Sequence, residues 1–169
     1  MASVLPPVPK AFGVIVVDGH PYIERPQIFT SVLAITTPRQ VVTNVPVTLP
    51  AVAPFLLKGL TRDILTTDGF IPVGSFDRRF RFNLRNSQGS TWFFTSGLWI
   101  FDDRVIDTMA FGSGQFPYPL IPPVPIPANG TMFYDVEDMS LGASPNFEVI
   151  YPYTIHFGFH GSYLFPTNT

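Results

Sequence analysis

Six of the twelve residues 116–127 (FPYPLIPPVPIP) are proline, at positions 117, 119, 122, 123, 125 and 127. Each fixes φ at about −65° and removes a backbone donor, so neither a helix nor a central strand accommodates this spacing. The segment has to run extended over a surface, and the interleaved Phe116, Tyr118, Leu120, Ile121, Val124 and Ile126 make that surface apolar. A second group, Pro6, Pro7 and Pro9, gives residues 1–11 the character of an extended or polyproline-like arm. The rest of the chain follows the same constraint. Its 19 prolines and 13 glycines interrupt long helices, while 17 phenylalanines supply large units of burial. Short strands and shaped loops are the expected result.

A length of 169 residues is enough to bury a core without staples, and a net charge of −2 gives no footprint for phosphate-dominated binding. Nucleic acid is therefore not an expected partner. With no cysteine in the chain, disulfides, thiolate zinc sites, iron–sulfur centres and thiol nucleophiles are excluded, and the redox compartment stays open. Prolines, aspartates or arginines interrupt every apolar stretch well short of the ~20 residues a membrane helix needs. No membrane role is expected, and the start (MASVLPPVPK) has neither the basic opening nor the helix of a secretory signal.

Along the chain, residues 12–17 are β-branched up to an Asp18-Gly19 turn, residues 27–37 read as a strand, and residues 41–49 as an edge or bulged strand because of Pro46. Residues 53–66 (APFLLKGLTRDILT) form the best helical candidate, although Gly59 divides it and strands fit nearly as well. Phe80, Phe82 and Leu84 alternate with Arg81, Asn83 and Arg85, the pattern of a half-buried strand. Residues 90–96, with Trp92, Phe93 and Phe94, are expected to pair with it as a hairpin. Residues 98–101, 105–111 and 131–137 are further strand candidates. In the final element, residues 153–165, Ile155, Phe157, Phe159, Tyr163 and Phe165 share one side, and His156, Gly158, His160 and Ser162 the other. Gly161, on the aromatic side, marks a bulge. The pattern predicts an all-β protein: a single β-sandwich or jelly-roll-like domain over residues 12–169, with the proline-rich arm over residues 1–11 and the proline-rich crossing segment over residues 116–127.

Signals for chemistry are sparse. His156 and His160 lie on one strand face roughly 13 Å apart at ~3.3 Å per residue, too far to share one ion unless a third element bends in. Two acidic clusters, Asp102, Asp103 and Asp107, then Asp135, Glu137 and Asp138, lack the spacing of a calcium loop and read as turns with local hydrogen bonds. There is no nucleophile elbow and no phosphate-binding glycine pattern. The reading is of a protein without catalytic residues, metal site or cofactor. Asn129-Gly130-Thr131 is a formal glycosylation sequon, read here as a turn.

What remains is surface chemistry. Four of the ten basic residues, Arg78, Arg79, Arg81 and Arg85, fall beside aromatic residues, a combination that suits a protein–protein interface. The candidate interface comprises Pro6, Pro7 and Pro9 of the arm, Arg79, Arg81 and Arg85, and Phe116, Tyr118, Leu120, Ile121 and Val124 of the crossing. Exposed apolar arms in a folded domain dock on partners, and proline lowers the entropy lost on ordering.

The stretch TWFFTSGLWIFDDRVIDTMAFGSGQFPYPLIPPVPIPANGTMFYDVEDMS, closed by YTIHFGFHGSYLF, resembles the small β-sandwich structural proteins of bacteriophage virions. A strand such as residues 98–107, a proline-rich crossing and a His-Gly-containing last strand carry that resemblance. It implies a capsid or capsid-associated virion component, assembled in the host cytoplasm as a symmetric homo-oligomer against other virion structural proteins, and no catalytic residues. Two other classes stay open: a module that binds carbohydrate or a host surface through Trp92 and Trp99, and a hydrolase built on carboxylates such as Asp102, Asp103 and Asp135.

Overall fold

The computed structural model describes residues 13–17, 19–66, 69–71, 80–86, 105–106, 111–112, 116–139 and 151–167. Among these residues there are ten strands and no helix: β1 (Val14–Val17), β2 (His20–Ile35), β3 (Val41–Thr48), β4 (Phe55–Thr66), β5 (Gly69–Ile71), β6 (Phe80–Asn86), β7 (Val105–Ile106), β8 (Tyr118–Ile126), β9 (Thr131–Asp138) and β10 (Tyr153–Pro166). One sheet runs β1-β2-β10-β4, with β5 and β8 both paired to the far edge of β4; the other runs β3-β9-β6-β7. All strand pairs are antiparallel. Leaving aside β1 and β5, the two sheets are β2-β10-β4-β8 and β3-β9-β6-β7, so β2 to β4 pair with β8 to β10 in a double Greek key. The fold is a jelly roll.

β10 is the spine of the larger sheet. It pairs with β2 from Tyr153↔Ile35 to Pro166↔Tyr22 without a slip, and with β4 on its other flank. Period-two alternation sends Ile155, Phe157 and Phe159 inward, each no more than 1% exposed, and leaves His156 and His160 on the outer face. The β10–β4 register shifts between His160 and Gly161, the bulge expected at that glycine. A Cβ on Gly161 would meet the carbonyl oxygen of Leu56 at 2.1 Å, so the close approach there requires glycine.

The core lies between the sheets. Phe157 of β10 packs against Phe80 and Phe82 of β6, Phe111 and Tyr134 of β9, with ring centroids 5.0–5.7 Å apart. Tyr134 also shares a 2.8 Å hydrogen bond with Ser31 of β2, which satisfies its hydroxyl across the sandwich. Burial raises the Tyr134 pKa above its ordinary value, with the Ser31 bond opposing that rise. Arg62 of β4 is 1% exposed, on the inner face, with its guanidinium carbon 5.6 Å from the centroid of the Phe80 ring.

Several sequence expectations hold. Gly19 lies in the connection between β1 and β2 at φ 79°, Asp18 lying outside the described residues, and β3 is an edge strand whose register shifts between Val42 and Val45, close to Pro46. Two are corrected. The helical candidate at residues 53–66 is strand β4; it is central in its sheet, buried on both faces along much of its length, and so shows none of the alternation that marks a half-exposed strand. Its Gly59 sits where the chain crosses at Pro117 and Tyr118, whose carbonyl oxygen would lie 2.9 Å from an added Cβ. The proline run enters the sheet as edge strand β8, with a register shift against β4 between Leu57 and Gly59 that leaves residues 120–123 without partners across the ladder. β7 stands opposite Arg81 and Phe82, and residues 90–96, expected to form a hairpin with β6, lie outside the described residues.

Candidate functional site

The larger sheet outgrows the smaller one. β2 has 16 residues and β10 has 14, whereas β3, β9, β6 and β7 have 8, 8, 7 and 2. Along β2 only Ile35 is buried, because the N-terminal part of the strand runs past the opposing layer. Odd-numbered Phe29, Leu33 and Ile35 face the core, so even-numbered Ile28 and Val32 face outward, where they are 51% and 57% exposed. Val14 and Val16 of β1 lie across from Ile23 and Pro21 and are 61% and 69% exposed. This β1–β2 wing therefore presents apolar side chains on both of its faces.

A second apolar surface comes from the proline crossing. Phe116 is 76% exposed and Ile121 87%, with Tyr118 also exposed. Leu120 and Val124, expected on the same surface, turn inward into the core. The irregular register of β8 against β4 separates these two sets, so only Phe116, Tyr118 and Ile121 remain as surface candidates.

Of the arginines expected at an interface, Arg81 and Arg85 have partners within the chain. Arg81 lies 4.0 Å from the Glu137 carboxylate, its neighbour across the β6–β9 ladder. Arg85 stacks over the Phe133 ring at 4.7 Å and hydrogen-bonds the Asn44 side chain. Both stems cover apolar surface while their heads stay near water. Arg79, Pro6, Pro7, Pro9, Trp92, Trp99, Asp102, Asp103 and Asp107 lie outside the described residues.

The remaining acidic candidates build turns. Asp138, 1% exposed, accepts hydrogen bonds from Tyr151 Oη at 2.7 Å, Tyr153 Oη at 2.9 Å and the Arg39 amide at 3.0 Å. Asp135 accepts from the Asn44 amide at 2.8 Å. Arg39 and Asn44 adopt φ of 58° and 59°, the left-handed region that costs a side-chain-bearing residue free energy, so these two carboxylates hold strained backbone in place. Nothing in the sequence pattern pointed to those distant partners. The histidines also stay apart: Gly158 separates His156 from His160 on the outer face, and His160 Nε2 hydrogen-bonds Thr61 Oγ1 at 2.8 Å. Burial lowers the His160 pKa. Among the described residues no group of three or more His, Cys, Asp or Glu could hold a metal ion.

One cleft, of about 320 Å³, opens beside the wing. Pro54, Pro125, Pro127 and Leu164 form apolar walls, and His20 and Tyr22 of β2 supply its polar groups. It has the size of a small-ligand or short-peptide site, with few groups to fix a ligand's orientation.

No protein-family model matches the chain, and no curated protein matches it. Among solved structures, the VP2 subviral particle of infectious bursal disease virus aligns over 96% of this chain and 43% of that one, at 12% identity and a TM-score of 0.36. The Gx strain of the same virus aligns over 96% and 36%, at 9% identity and a TM-score of 0.39. T=1 particles derived from that virus align over 99% and 45%, at 12% identity and a TM-score of 0.33. The chain spans less than half the length of each of these chains. Identities and scores this low assign neither family nor activity.

Proposed function

We propose that the chain is a non-enzymatic structural component of a virus particle, of the bacteriophage kind its sequence resembles, and that it works through contacts with copies of itself and with other virion proteins. The observation that carries this reading is the exposed apolar surface of β1 and β2, where Val14 and Val16 of edge strand β1 and the outward-facing Ile28 and Val32 of β2 are all more than half exposed. Apolar surface of this kind marks a contact site, and the exposed Phe116, Tyr118 and Ile121 add another on the opposite edge of the same sheet. Contact sites on two edges allow one subunit to touch more than one neighbour, which an extended or closed assembly needs. Jelly rolls also serve lectins and enzymes, so the fold alone does not choose among functions. The surface does.

Sedimentation velocity over a hundredfold concentration range tests the proposal. The expected result is reversible growth beyond the monomer for the wild-type chain, reduced in Phe116→Lys with Ile121→Lys while the far-ultraviolet spectrum is unchanged. A chain that stays monomeric throughout, or lysine variants that associate as well as wild type, would contradict this assignment of the surface.

A further inference from the structure

Among the described residues the sheets leave edges at β1, β3, β5, β7 and β8 and along the flank of β2 beyond β1, and three of these carry a device that blocks pairing with another chain. β8 has prolines at 119, 122, 123 and 125; β3 has Pro46 and the left-handed Asn44; β7 is two residues long. The edge formed by β1 has none. Its sequence is VIVV, uncharged and β-branched, and no strand pairs its outer side among the described residues. The Glu24 amide donates to the Gly13 carbonyl, and antiparallel bonding alternates along a strand, so Gly13, Ile15 and Val17 direct their backbone groups to β2. Val14 and Val16 direct theirs to the open edge.

We propose that this edge pairs with the β1 edge of a second copy, antiparallel about a two-fold axis through Ile15, which joins two larger sheets into one. The proposal rests on the reading of the chain as an assembly subunit and names one of its contacts. Directly opposed residues in a sheet share a face, so a two-fold axis perpendicular to the sheet has to pass through a residue position, and centring on Ile15 uses all four outward groups. Val14 then exchanges both of its hydrogen bonds with Val16 of the second copy, and Val16 with Val14 of the second copy.

The side chains fit this register. A row across the joined sheet reads Ile23, Val14, then Val16 and Pro21 of the second copy, and the next row reads Tyr22, Ile15, Ile15, Tyr22. Neither row contains a charge, so the strand is its own complement and a second copy meets no repulsion. Four residues a side bury less than a standard interface, as suits a contact that gains strength by repetition within an assembly.

Because the chain has no cysteine, single cysteines report the register cleanly. Ile15 forms a non-hydrogen-bonded pair with its copy, its Cα atoms about 4.5 Å apart and within disulfide range, whereas Val14 lies about 8–9 Å from Val14 of the second copy. With the full chain oxidised by copper–phenanthroline, Ile15→Cys is expected to form a covalent dimer, and Val14→Cys and Val16→Cys alone are not, while an equal mixture of those two is. Val16→Pro removes an outward amide that β2 does not use, so it spares the hairpin and is expected to cut Ile15→Cys cross-linking at least tenfold without shifting the denaturation midpoint. Cross-linking of Ile15→Cys no greater than that of Val14→Cys, in a wild-type chain that still associates, would overturn the edge pairing and leave the assembly reading standing. A wild-type chain that is monomeric at every concentration would overturn both.

Discussion

Replacing Phe157 by alanine is expected to cost about 3–5 kcal/mol of folding free energy. The side chain is 1% exposed and stands between the sheets, its ring centroid 5.7 Å from Phe80, 5.3 Å from Phe82, 5.4 Å from Phe111 and 5.0 Å from Tyr134. Burial of a phenylalanine ring contributes roughly 1.5–3 kcal/mol by transfer alone. Rigid rings on several sides prevent collapse, so a cavity remains, at a further ~24 cal/mol for each Å³ left empty. Loss of favourable ring geometry adds about 0.5–1.5 kcal/mol. Against a total stability of about 5–15 kcal/mol for a domain, the variant is close to unfolding. Phe157→Leu fills most of the space and is expected to cost about 1–1.5 kcal/mol. Ile28→Ala and Val32→Ala, on the outer face of the same sheet, are expected to stay within about 0.5 kcal/mol of wild type. Urea unfolding followed by circular dichroism measures all four. A loss below about 1.5 kcal/mol for Phe157→Ala, or an equal loss for Ile28→Ala, would mean that β10 does not face β6 and β9 across a core.

Asp138→Ala strips the acceptor from Tyr151, Tyr153 and the Arg39 amide together and is expected to destabilise by about 2–4 kcal/mol, with Asp138→Asn in between and Tyr153→Phe near ~1 kcal/mol; equal effects of all three in urea unfolding would deny the shared network. The lowered His160 pKa gives a pH dependence of known sign. Below the ordinary histidine value of about 6.5 the unfolded chain takes up the proton more readily than the folded one, so this group's contribution is fully present above that pH and is lost as pH falls towards the lowered folded value. The urea midpoint of wild type is expected to drop more than that of His160→Gln between pH 7.5 and 5.5, each figure being about one unit from that ordinary value; identical drops would show that burial of His160 is not felt.

Elements with a local signature were legible in the sequence. The alternation of β10, the bulge at Gly161, the turn at Gly19 and the edge character imposed by Pro46 all follow from spacing within a few residues. β4 was not, because a strand buried on both faces gives a continuous apolar run that fits a helix equally well. The strand expected over residues 27–37 is part of the longer β2, which contains Pro21 and Pro26; Pro26 lies beyond the residues that β1 pairs, where one flank of the strand is an open edge and the missing amide is tolerated. At the surface, the sequence marked the proline crossing as apolar but could not say which side chains turn inward, since the slip against β4 is a property of the partner strand. The exposed wing was invisible for a related reason. Exposure of Val14 and Val16 comes from the larger sheet extending further than the smaller one, which depends on how strands distant in the chain are shared between two sheets.

Electron microscopy of the purified full chain at high concentration tests the account most directly. Regular particles or ordered arrays, in which neighbouring subunits meet along the β1–β2 wing, are the predicted result. A field of isolated single subunits at every concentration would contradict it.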